Sequence, residues 1–208
     1  NNDTELIKFL LSFDTFQYSK EEKKLYYESS FNINLDSLNN FISTISDTND
    51  IQTLIFGEKF NQELKNSLDR LTNLKVLEFG KKFNQPLDHS LDKLSNLTVL
   101  RFGKHFNQPL KKSLDKLTKL TDLKFGKYFN QPLDYSLDKL SNLKSLKFEN
   151  EEYSYYYSIN LDSLHNLDEN ILKDLTSIQE GYYKEIEIED FRREREEMEW
   201  EFPRSRSE

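Results

Sequence analysis

The chain of 208 residues is long enough to form one domain with a sizeable core, provided its parts stack on one another. It contains no cysteine, which excludes disulfides and thiolate chemistry and points to a reducing, intracellular setting. No apolar run approaches the roughly 18 residues of a membrane span, and the formal charge of −8 hides a split into −5 over residues 1–50, +8 over 51–148 and −11 over 149–208.

Residues 1–24, NNDTELIKFLLSFDTFQYSKEEKK, lack the basic start and small-residue cleavage site of a secretory leader. Their apolar cluster of Leu6, Ile7, Phe9, Leu10, Leu11 and Phe13 predicts a helix capping one end of the repeating region. From Tyr27, the string YESSFN aligns with FGEKFN at 56–61, so a first repeating unit is expected from residue 25.

The centre of the chain repeats with a period of 23 residues: Asn61, Asn84, Asn107 and Asn130 each close a copy of FGxxFN. Four regular units and two weaker ones, at 25–50 and 138–167, give about six coils. Within 74–97 the apolar residues are Leu74, Leu77, Phe79, Phe83, Leu87, Leu91, Leu94 and Leu97. The alternation Leu77-x-Phe79 marks a short strand burying one face. Gly80 then allows a backbone conformation closed to other residues, and Pro86, lacking an N–H, lies beyond the strand. Ser90 is a good helix N-cap, and the threefold spacing of Leu91, Leu94 and Leu97 predicts one or two turns of α- or 3₁₀-helix. No unit can bury its apolar side alone, so the expected fold is an α/β repeat solenoid of leucine-rich-repeat type, with a short parallel strand and a short helical return in each coil.

Stacking converts repeated residues into columns. Phe60, Phe83, Phe106 and Phe129 are expected to form one internal aromatic spine, and Phe56, Phe79, Phe102 and Phe125 another. Asn61, Asn84, Asn107 and Asn130 are expected to form an amide ladder that satisfies backbone groups where the chain leaves the sheet. After the regular units, the insertion ENEEYSYYYS carries Tyr153, Tyr155, Tyr156 and Tyr157, which read as a cap folded over the last coil. The solenoid is taken to span 25–179. An acidic, mixed-charge cap or tail follows over 180–208, where Ile186 and Ile188 alternate as in an edge strand.

The repeat L-x-x-L-x-F-G-x-x-F-N-Q-P-L resembles the FNIP repeat family, a variant of the leucine-rich repeats abundant in amoebae and in the large DNA viruses that infect them. The resemblance implies a strand-lined concave face used for protein binding, with host cytoplasm as the setting of a viral member. Many members also carry an N-terminal F-box that docks them to a ubiquitin ligase while the repeats select a substrate. The 24 residues before the first coil are too few for an F-box.

Strand alternation turns two columns outward: Thr53, Val76, Val99, Asp122, Ser145 and Ile55, Glu78, Arg101, Lys124, Lys147. They break the sameness of the repeat, so Ile55, Val76, Glu78, Val99, Arg101, Lys124 and Lys147 are the candidate protein-binding residues. The three cations suit an acidic or phosphorylated protein partner. The competing reading is a freely drifting, solubilising surface. A second basic edge, Lys81, Lys82, Lys104, His105 and Lys127, reads as a solvated rim, and no nucleic-acid partner is expected because Arg is scarce and the flanks are acidic.

Catalysis is not expected. His89, His105 and His165 occupy different places in their coils, no phosphate-cradling loop precedes a helix, and the SLDKL carboxylates lie on the return side without a pocket. No residue is assigned to catalysis, a cofactor or a metal. The sequence thus points to a non-catalytic protein-interaction module, monomeric in solution. The alternative is a structural repeat protein self-associating through a poorly capped sheet end, which concentration-dependent mass would reveal.

Overall fold

The computed structural model describes residues 14–29, 42, 51–133, 135–149, 167–173, 175 and 176. Among these, seven strands form one sheet in chain order: β1 (Asp14–Ser19), β2 (Lys24–Ser29), β3 (Thr53–Phe56), β4 (Val76–Glu78), β5 (Val99–Arg101), β6 (Asp122–Phe125) and β7 (Ser145–Phe148). β1 and β2 make an antiparallel hairpin, and β2 to β7 are all parallel. Parallel neighbours need a crossover of a dozen or more residues, and each coil supplies one on the side away from the open sheet face. The chain is therefore a β-solenoid, with four complete turns between β3 and β7. The further coils of the six expected fall largely outside the described residues, as do the tyrosine-rich insertion and the tail over 180–208.

The first strand pair departs from the sequence reading. Within the helical cap expected over 1–24, residues 14–24 instead belong to the hairpin. Local chemistry explains this: Phe16 and Tyr18 alternate with polar residues, Leu25 and Tyr27 do the same, and a charged turn separates the two runs. The apolar cluster from Leu6 to Phe13 lies outside the described residues. β2 joins the stack in the register given by the YESSFN alignment, with Tyr27 opposite Phe56.

Between β3 and β7 the return is also not helical. Leu87, Leu91, Leu94 and Leu97 point inward from a chain of linked turns, in which the N–H groups of Ser90, Leu94 and Leu97 donate to the carbonyls of Leu87, Leu91 and Leu94 at 2.8, 3.0 and 2.9 Å. Asp88 at φ 40° in one coil, like Lys65 at 48° and Lys111 at 49° in its neighbours, is left-handed and marks a tight turn just ahead of Ser90. A spacing of three then carries each leucine to the inner side without helical winding. The described helical residues are Ile42, between β2 and β3, and 169–173 with 175 and 176, after the solenoid's last strand. The Asn170 N–H donates to Asp168 Oδ1 at 2.9 Å near the start of that segment, which buries Leu167, Ile171 and Leu175.

The glycine of FGxx has a different cause from the one its sequence position suggests. No glycine in the described residues has a positive φ. A Cβ on Gly80 would instead stand 2.0 Å from the Gly57 carbonyl oxygen, and one on Gly103 would stand 2.1 Å from that of Gly80. The coils approach so closely that a hydrogen is the largest substituent they admit.

The core has two parts. On the return side, columns such as Leu71, Leu94, Leu117 and Leu140 are buried. Behind the sheet, Phe79 and Phe83 stack at 4.0 Å within a coil, and Phe79 meets Phe102 at 5.5 Å in the next coil with planes 5° apart. The second spine repeats the pattern, Phe60–Phe83 and Phe83–Phe106 lying 5.8 and 5.9 Å apart. Burial of this kind stabilises by about 1.5–3 kcal/mol per large side chain.

Candidate protein-interaction surface

One edge of the sheet is held by amide ladders. The N–H groups of Asn84, Asn107 and Asn130 donate to Oδ1 of Asn61, Asn84 and Asn107 at 2.9, 2.8 and 2.8 Å. The glutamine that follows each of these donates its Nε2 to the same oxygen: Gln85, Gln108 and Gln131 at 3.0, 3.1 and 3.0 Å. Each carbonyl thus accepts two bonds from the next coil, saturating both lone pairs. Gln62 occupies the same place one coil earlier, is buried, and among the described residues has no hydrogen-bond partner for either amide atom; its counterpart rung, Asn32, lies outside the described residues. A second amide pattern runs along the return, where Asn96 and Asn142 Nδ2 donate to the Thr72 and Thr118 carbonyls at 3.0 and 2.7 Å. The glutamines and this second pattern were missed in the sequence, although the same 23-residue offset marks both.

The open face carries the two varied columns in register. Thr53, Val76, Val99, Asp122 and Ser145 are successive partners across β3 to β7, and so are Ile55, Glu78, Arg101, Lys124 and Lys147. β2 extends both columns, adding Lys24 beside Thr53 and Tyr26 beside Ile55. Inward neighbours Leu54, Leu77, Leu100 and Leu123 are fully buried, which fixes the outward orientation of the residues between them. Ile55, Val76 and Val99 are half-buried, whereas Arg101 and Lys147 are exposed.

The cations of this face are largely compensated within it. Arg101 Nη1 lies 2.6 Å from Glu78 Oε1, Arg101 Nε lies 3.6 Å from Asp122 Oδ1, and Lys124 Nζ lies 2.6 Å from Glu149 Oε1. Among the described residues Lys147 has no ion-pair partner. Asp122 and Glu149 were the acids absent from the sequence-derived strip, because one belongs to the neighbouring column and the other lies just past β7. The face is therefore apolar toward β3, charged toward β7, and nearly neutral as a whole.

The second basic edge is partly compensated too. Lys81 Nζ pairs with Glu58 at 2.6 Å, and Lys104 Nζ lies 5.2 Å from the Tyr128 ring centre. His105 packs edge-on against the same ring at 5.1 Å. On the return side, His89 Nδ1 meets Asp92 Oδ2 at 3.0 Å with the His89 side chain 88% exposed. Where the sequence reading gave the SLDKL carboxylates no pocket, Asp69 and Asp92 in fact line an open depression of the return surface together with Glu63, Asp88 and His89. Stacking does not bring His89 and His105 together, and His165 lies outside the described residues. Among the described residues, no helix is long and apolar enough to cross a membrane.

No protein-family model matches the chain. No curated protein matches it. Among solved structures, the chain is similar to an internalin from Listeria monocytogenes at 14% identity and a TM-score of 0.40, over 64% of this chain and 51% of that one. The chain thus spans about half the length of that structure.

Proposed function

We propose that the chain is a non-catalytic protein-interaction module and that the open sheet face is its recognition surface. One observation carries this reading: columns that face inward repeat almost unchanged from coil to coil, whereas the register partners Ile55, Glu78, Arg101, Lys124 and Lys147 change from apolar to acidic to basic. A stack that needs sameness for its core has its chemical individuality on this platform. The repeat is of FNIP type on this reading, and the finer role is selection of a protein substrate in a ubiquitin-ligase-type assembly. Because Arg101 and Lys124 already face carboxylates, a partner is recognised by the order of apolar, acidic and basic positions rather than by net negative charge.

The test is affinity capture of the intact chain from host-cell lysate beside the triple variant Arg101→Glu, Lys124→Glu, Lys147→Glu. A captured protein should fall at least tenfold with the variant while the far-ultraviolet circular dichroism stays unchanged. Equal capture by both proteins would remove the sheet face from the interaction.

A further inference from the structure

We propose that the open sheet face binds a second copy of this chain, face to face and with the two stacks running in opposite directions. The inference deepens the reading of this face as a recognition surface by naming the partner that its charge pattern fits best.

Consider a twofold axis parallel to the strands and centred between β4 and β5. It reverses the order of coils while keeping each column opposite itself, so β4 meets the partner's β5 and β3 meets the partner's β6. In the charged column, Glu78 then faces Arg101 of the second copy and Arg101 faces its Glu78. In the other column, Val76 faces Val99 at the centre, and Thr53 faces Asp122, a hydroxyl opposite a carboxylate that can accept its hydrogen bond. The remaining confrontations set the methylene stem of Lys124 against Ile55 and that of Lys147 against the Tyr26 ring, with Lys24 opposite Ser145. An axis along the stack fails, since it sets Arg101 against Val99.

Net charge favours the same partner. Two copies of a face with a large charge of one sign repel, whereas Lys24, Arg101, Lys124 and Lys147 are here nearly balanced by Glu78, Asp122 and Glu149. The Glu78–Arg101 contact of 2.6 Å within each chain need not break. Two such pairs brought together with opposite sense form a ring of four alternating charges, in which each cation lies between two carboxylates. The face measures roughly 25 Å by 12 Å, well below a standard interface of about 800 Å² per partner, so association is weak and reversible. A dimer of this kind covers the surface offered to other proteins, and a competing ligand would have to displace the second copy.

The test is sedimentation equilibrium of the full chain over a concentration series reaching several hundred micromolar, with three samples. Wild type should move toward twice the monomer mass. Glu78→Arg alone and Arg101→Glu alone should each stay monomeric, because each sets four like charges together at the centre. An equimolar mixture of the two should recover the doubled mass, since two cations of one copy then meet two anions of the other. Wild type remaining at monomer mass throughout would overturn the proposal whatever the variants do. So would a mixture no heavier than its components, provided that both retain the wild-type circular dichroism. Failure here with successful, charge-dependent capture from lysate would leave the recognition face intact and remove only the second copy from it.

Discussion

The N–H of Asn107 donates to Oδ1 of Asn84 at 2.8 Å, and the neighbouring Gln108 Nε2 reaches the same oxygen at 3.1 Å. Asn84→Ala therefore orphans the Asn107 N–H and leaves Gln108 Nε2 only its bond to the Asn84 main-chain carbonyl at 3.2 Å. The expected cost is about 1–3 kcal/mol, read as a lower urea midpoint at unchanged m-value. Asn96→Ala, which removes two solvent-exposed bonds on the return, to the Thr72 carbonyl and from Lys119 Nζ, should cost under about 1 kcal/mol. Equal losses would mean that the double acceptor has no special weight.

Gly103→Ala tests the close approach of coils. Its new methyl would meet the Gly80 carbonyl at 2.1 Å, a backbone atom that cannot swing aside. Forcing the coils apart should cost about 3 kcal/mol, near the upper end for overpacking. Thermal denaturation followed by circular dichroism would show it. A variant of wild-type stability would indicate that the stack spreads with little resistance.

Lys111→Gly should act in the opposite direction. At φ 49° the lysine carries a steric penalty of about 1–2 kcal/mol that glycine avoids, offset by the roughly 0.5–1 kcal/mol entropy cost of glycine in the unfolded chain. A small net gain is expected, up to about 1 kcal/mol, and Lys65→Gly at φ 48° should add to it. A fall in melting temperature for both would mean that the lysine side chains stabilise the turn.

Phe83 touches Phe60, Phe79 and Phe106 and is fully buried. Phe83→Ala should cost about 3–5 kcal/mol and Phe83→Leu about 1–2 kcal/mol, by chemical denaturation. Such a cavity sits between two coils, so the loss should also reach its neighbours, seen as faster amide exchange in β3 and β5 than in β7.

Much of this molecule is legible because its period is unbroken. Once Leu77-x-Phe79 is read as a strand, a fixed offset of 23 residues places every inward and outward column, and Tyr27 falls opposite Phe56 even across a longer first coil. The features that escape such a reading depend on geometry that periodicity does not encode. Gly80 looks like a conformational residue because glycine can adopt positive φ, yet the deciding atom is a carbonyl one coil away. Ser90 looks like a helix cap, but its N–H closes a turn onto Leu87, and Leu94 and Leu97 reach back three residues in the same way, so the return runs as linked turns. The first strand of the hairpin, Asp14–Ser19, has no repeat to announce it, only alternation over a few residues before a turn. On the outer face, the pairing of Glu78 with Arg101 follows from the column itself, whereas Lys124 reads as a cation in search of an anion because its carboxylate, Glu149, lies off the strip in sequence terms.

The near-identity of FGKKFNQPL, FGKHFNQPL and FGKYFNQPL bears on how the coding sequence can change. Unequal recombination between such similar stretches inserts or removes a multiple of 23 codons, and the rejoined chain still meets a matching coil on either side. The interior is indifferent to such an exchange. The outer column is not, for losing the coil that contributes Arg101 would bring Glu78 beside Lys124 and erase one position from the order of charges. Lineages could therefore rewrite the recognition surface by whole coils, in a single genetic event, without passing through an unfolded intermediate.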